Sequence, residues 1–108
     1  MKIAVTSMGN SIDSNLSEQF GRCPYFVIFD TTDNRNTVVE NEMKNQQGGV
    51  GPQAAGFLIG KDVKVLLTGK VGGNAESALK RGGVETITGF SGNSKVKEVI
   101  DEYLTKKE

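Results

Sequence analysis

The stretch Val63-Lys64-Val65-Leu66-Leu67-Thr68-Gly69-Lys70-Val71-Gly72-Gly73-Asn74-Ala75-Glu76-Ser77-Ala78-Leu79-Lys80-Arg81-Gly82-Gly83-Val84 decides the fold class. It opens with an apolar run, Val63 to Thr68, of strand length and rich in valine and leucine, which reads as a central parallel strand. Gly69 to Gly73 turn the chain. Asn74 is a candidate cap for a helix reaching Arg81, with Ala75, Ala78 and Leu79 spaced i, i+3, i+4 along one face. Gly82 and Gly83 end that helix, because glycine accepts the left-handed conformation that closes a helix. Val84 to Ile87 is then a second short strand. A strand, a helix and a strand in succession require a crossover connection and a parallel pair.

Working outward, the same alternation continues on both sides. Downstream, Gly89 to Asn93 form a turn, and Ser94 is a candidate cap for a last helix. Its apolar face is Val96, Val99, Ile100, Tyr103 and Leu104, with Lys95, Lys97, Glu98, Asp101 and Glu102 outside. Upstream, Pro52 suits the first position of a helix ending at Gly60, with Ala54, Ala55, Leu58 and Ile59 on one side. The first half reads differently. Lys2 to Thr6 is a short buried strand. A long polar connection, Ser7 to Pro24, follows it, and the four-residue spacing of Leu16 and Phe20 predicts a helical turn near 15–20. Tyr25 to Asp30 is a strand dense in aromatic and β-branched residues, and Thr37 to Asn41 completes a hairpin with it as an edge strand. The order is βββαβαβα: one α/β domain over 1–108, with a mixed five-stranded sheet flanked by helices.

Composition narrows the function classes. Thirteen Lys plus Arg balance thirteen Asp plus Glu in 108 residues, so the net charge is zero. Nucleic-acid binding relies on a basic excess that this chain lacks. No apolar run approaches the length of a membrane span, and the start carries no signal-like segment, so the expected location is the cytoplasm. The chain has one cysteine and no histidine. An internal disulfide, an all-protein zinc site of the usual Cys and His type, and Cys–His or Ser–His catalysis are therefore all excluded. A sheet of this order invites comparison with ribonuclease-H-like nucleases, which need clustered carboxylates to hold two metals. Asp30, Glu40 and Glu42 lie near strand ends without an evident third partner.

Two features remain that carry chemistry. The first is a pair of glycine clusters, Gly48-Gly49-Val50-Gly51-Pro52 and Gly69-Lys70-Val71-Gly72-Gly73-Asn74, each just before a helix. Backbone N–H groups at helix starts bind anions, and Lys70 adds charge. Neither cluster has the spacing of a nucleotide-phosphate loop, and tight turns or close packing account for such glycines equally well. The second is Phe20-Gly21-Arg22-Cys23-Pro24-Tyr25-Phe26, where a thiol follows a guanidinium as the long loop enters a strand. Arg22 would favour the thiolate, a soft ligand suited to iron–sulfur species. One thiolate cannot hold a four-cysteine cluster, but it could anchor one whose other ligands are external. The alternative is that Cys23 is a small buried hydrophobe closing the loop. Phe20 and Tyr25 read as core residues.

Together these segments resemble the dinitrogenase iron–molybdenum cofactor biosynthesis family, which includes NifX, NafY and the end of NifB. The resemblance runs in order through Met1–Val5, Phe20–Phe26, Asn41, Gly49–Ala55, Leu67–Ala75 and Leu79–Val84. It implies a ribonuclease-H-like three-layer fold. It also implies non-enzymatic binding, storage or delivery of an iron–sulfur or iron–molybdenum type cluster or its precursor, with a possible donor or acceptor protein as partner. By that resemblance Cys23 is the candidate metal ligand and Arg22 an anion-holding neighbour. Gly49, Gly51, Gly72 and Gly73 shape the pocket rim, and Asn74 either donates to a bound group or caps its helix. Family members often bind clusters through histidine, and the loop from Glu42 to Gly51 has none here. The alternative function is a binding module for a small anionic or phosphate-bearing ligand, as a monomer or weak dimer.

Overall fold

The computed structural model describes residues 1–106. Strand β1 is Lys2–Ser7, β2 is Tyr25–Asp30 and β3 is Arg35–Glu40. Helix α1, Val50–Gly60, leads into β4, Val63–Leu67; α2, Gly73–Arg81, leads into β5, Glu85–Ile87; and α3 is Val96–Lys106. The five strands form one sheet in the order β3-β2-β1-β4-β5. Antiparallel pairing joins β3 to β2 and β2 to β1, and parallel pairing joins β1 to β4 and β4 to β5. The mixed α/β sheet expected from the element order is therefore the fold.

Side-chain alternation along the central strands divides the interior into two cores. Ala4, Phe26, Ile28 and Leu66 face α1 and α2, where they meet Ala54, Leu58, Ala75 and Leu79. Ile3, Val5, Val27, Val65 and Leu67 face the other way, onto Val96, Val99, Ile100 and Tyr103 of α3. Helices on both faces explain why the centres of β1 and β4, Ile3 to Val5 and Val65 to Leu67, are apolar on both sides. Lys64 is the exposed position of β4. The β1–β4 register slips there, Lys2 pairing with Val63 and Ile3 with Val65. This bulge exposes Lys64 and turns Val63 toward the α1–α2 core, opposite to Val65.

Several local readings shift. Strand β3 begins at Arg35 and stops at Glu40, so Asn41 lies beyond the strand and is fully buried. No helical turn forms over 15–20; that segment is extended, with single bridges from Leu16 to Ser7, Asn15 to Lys95 and Gln19 to Lys70. Leu16 and Phe20 do sit four apart, but they belong to opposite cores, which no helix could serve. Asn74 does not cap α2, because the helix starts one residue earlier and Gly72 is its cap. Ser94 likewise precedes the first turn of α3 by two residues, and the Glu98 carboxylate accepts the Lys95 N–H at 2.7 Å, the reach-back half of a capping box. The end of α2 follows expectation. Gly83 is left-handed at φ 78°, with the Val84 N–H on the Leu79 carbonyl and the Gly83 N–H on that of Lys80, a Schellman closure.

The topology places the site. A two-residue turn joins α1 to the start of β4, and five residues, 68–72, join β4 to α2, so both helices run antiparallel to β4. Their N-termini therefore meet at the C-terminal end of β1 and β4. That is where the chain leaves β1 for one half of the sheet and β4 for the other, the usual place for a binding crevice in an open α/β sheet. Among the described residues no helix is long and apolar enough to cross a membrane.

Candidate functional site

Three glycine-containing segments converge at that sheet end around a groove of about 550 Å³. Gln19 to Arg22 form one wall, Gly48 to Pro52 a second, and Lys70 to Ala75 a third. The first wall comes from the long loop between β1 and β2, which works as a strap across the sheet end. The Ser17 N–H donates to the Thr6 carbonyl, and the Thr6 hydroxyl donates to the Ser17 carbonyl at 2.6 Å. Lys70 donates its N–H to the Glu18 carbonyl at 2.7 Å and accepts the Phe20 N–H on its own carbonyl at 3.1 Å. These bonds hold Gln19 and Phe20 beside the start of α2. Phe20 also reaches the core, its ring centroid 6.0 Å from that of Phe26.

The other two walls are helix starts. Gly49 and Gly72 occupy the cap positions of α1 and α2, and neither helix has a side-chain cap. The first-turn N–H groups thus lack the usual serine or aspartate acceptor. The two starts lie close: a Cβ placed on Gly51 would stand 3.0 Å from the Ala75 Cβ. Two parallel helices with adjacent N-termini add their dipoles at one spot, favouring negative charge. Among the described residues Lys70 and Arg22 are the cations on the groove wall, and no acidic residue lines it.

Arg22 lies on the wall as expected, but its guanidinium is engaged. It donates to the Lys44 carbonyl at 2.8 Å and to the Gln46 carbonyl at 3.2 Å, tying down the loop that carries Gly48 and Gly49. Gly49, Gly51, Gly72, Gly73 and Asn74 also line the groove. Gly48 and Val71, from the two glycine clusters, line it as well. Gln19 belongs to it too and is not legible in the sequence, since only the Gln19–Lys70 bridge brings the strap alongside.

Cys23 stands apart from the groove. Its side chain is fully buried in the α1–α2 core and does not line the groove. Burial pushes the thiol up to about 12, outweighing the stabilising contact from the Asn41 amide 3.8 Å from Sγ. The expected promotion of a thiolate by Arg22 is absent, because Arg22 is exposed and turned to the 44–46 backbone while Cys23 points inward. The alternative reading, a small buried hydrophobe closing the loop, describes its position. Asn41 completes that closure, donating to the Gly21 carbonyl at 2.8 Å and the Cys23 carbonyl at 2.9 Å. Among the described residues no three His, Cys, Asp or Glu side chains cluster as a metal-holding group, so the carboxylates of the nuclease comparison do not assemble.

Residues 1–106 match the family described as dinitrogenase iron-molybdenum cofactor. The chain belongs to that family. Two solved structures are similar to this chain over nearly all of its length. The apo form of the orange protein from Desulfovibrio gigas is 30% identical, with a TM-score of 0.93 over 98% of this chain and 88% of that one. A putative NifB protein from Thermotoga is 36% identical, with a TM-score of 0.83 over 96% of this chain and 87% of that one. No curated protein matches the chain.

Proposed function

We propose that this chain binds an anionic metal–sulfur cluster, or a precursor of one, in the groove between the strap and the starts of α1 and α2, and passes it on without chemical turnover. One observation carries the reading: two uncapped helix N-termini meet in a groove whose charged side chains are Lys70 and Arg22. Membership of the dinitrogenase iron-molybdenum cofactor family supports a metal–sulfur cargo over a simple phosphate. Among the described residues no thiol, imidazole or carboxylate lines the groove, so the cargo keeps its own sulfide shell and is held by hydrogen bonds and charge. Apolar wall residues, Val50, Pro52 and Val71, suit a large polarisable anion better than a small, strongly hydrated one. Transfer to a partner protein is easier without a covalent bond to break.

Anaerobic loading tests this. Purified protein is incubated with iron, sulfide and thiomolybdate and desalted, and retained metal is quantified beside a Cys23→Ala variant. Stoichiometric retention by both is the expected result. No retention by the parent overturns the reading. Loss in a folded Cys23→Ala protein alone would instead return the ligand role to the thiol.

A further inference from the structure

We infer that Gly72 and Gly73 are the ligand-contacting glycines of this groove, and that its other glycines serve the fold. The inference rests on the groove being an anion site, and it assigns the contact to one wall. Each of the other glycines has a structural reason. Gly48 and Gly49 have φ of 71° and 66°, a region that side chains rarely adopt. Gly21 has φ 100°, and a Cβ there would stand 3.3 Å from the Gly51 Cα. A Cβ on Gly51 would press at 3.0 Å on that of Ala75. These positions disfavour side chains whether or not anything is bound.

Gly72 and Gly73 have no such reason. Gly72 has φ −70° and ψ 159°, an extended conformation open to any residue, and Gly73 is the first residue of α2. Nothing lies within 4 Å of a Cβ built at either. Alanine in a helix is more stable than glycine, so the chain forgoes stability at Gly73 without a packing return. Both glycines line the groove. A bare strip of backbone lets a bulky anion approach the amides of α2 closely. Lys70 and Asn74 flank the strip, and neither side chain has a hydrogen-bond or ion-pair partner among the described residues. Gly56 on the exposed face of α1 is equally unhindered but lies outside the groove, which makes it the internal control.

The test compares Gly72→Ala, Gly73→Ala, Gly51→Ala and Gly56→Ala for thermal midpoint and for tetrathiomolybdate affinity. Amide chemical-shift mapping of the parent is done with tetrathiomolybdate and, separately, with inorganic phosphate. Gly73→Ala should melt at or above the parent temperature yet bind at least tenfold more weakly, with Gly72→Ala also weakened. Gly56→Ala should bind as the parent does. Shifts should centre on Gly73 to Ala75. Parent-like binding by both Gly72→Ala and Gly73→Ala overturns the inference, as do shifts centred on Gly49 to Gly51 or no shift with either anion. Shifts at Gly73 to Ala75 with phosphate alone would keep this assignment and remove the metal–sulfur cargo.

Discussion

At residue scale Cys23 shows how neighbours in sequence differ from neighbours in space. Arg22, in a bend ahead of β2, is exposed, whereas Cys23 beside it is buried. One reaches the solvent-facing loop and the other the core. The thiol, pushed up to about 12 by burial, should resist iodoacetamide at pH 8 in the native protein and react fully once denaturant is added. Its sign in the pH dependence is also defined. The folded thiol holds its proton above the ordinary value of 9.0, where the unfolded thiol has lost it. Its contribution is complete below that ordinary value and falls as pH rises toward the folded value. Relative to Cys23→Ala, the parent should lose about 1.4 kcal/mol of stability per pH unit in that window. Urea titrations of both proteins from pH 8 upward check this; parallel curves would disprove it.

At the scale of elements, the strap between β1 and β2 carries the most information that the residues alone did not reveal. Its length signalled a functional loop, but its path did not follow from the spacing of Leu16 and Phe20. That spacing is compatible with a helical turn, and only the presence of two cores separates the pair. The strap is pressed onto the turn after β4: a Cβ on Gly69 would come within 2.6 Å of the Glu18 carbonyl oxygen. Backbone cannot yield there as a flexible side chain would. Gly69→Ala should cost about 2 kcal/mol and displace Gln19 and Phe20 from the groove, weakening tetrathiomolybdate binding as well. A urea midpoint equal to that of the parent would show that the strap can lift freely.

At the scale of the whole molecule, the central strands β1 and β4 are covered on both faces, whereas β3 is an edge of mostly exposed residues. Amide exchange should accordingly be slowest at Val5 and Leu66 and fastest among the strands in β3. Equal protection across the sheet would contradict the layered core. The sequence by itself determined the element order, the mixed sheet, the edge position of β3, the Schellman end of α2 and most of the groove glycines. Those follow from periodicity, β-branched runs and glycine placement, all of which act within a few residues. Only the tertiary structure decided that Cys23 is sealed inside, that Arg22 clamps the 44–46 backbone and that Gln19 stands on the groove wall. It alone separated Gly51, needed for the close approach of two helices, from Gly72 and Gly73, which face open space. Each of these depends on which distant segment lies opposite, and packing between segments far apart in the chain leaves no local signature.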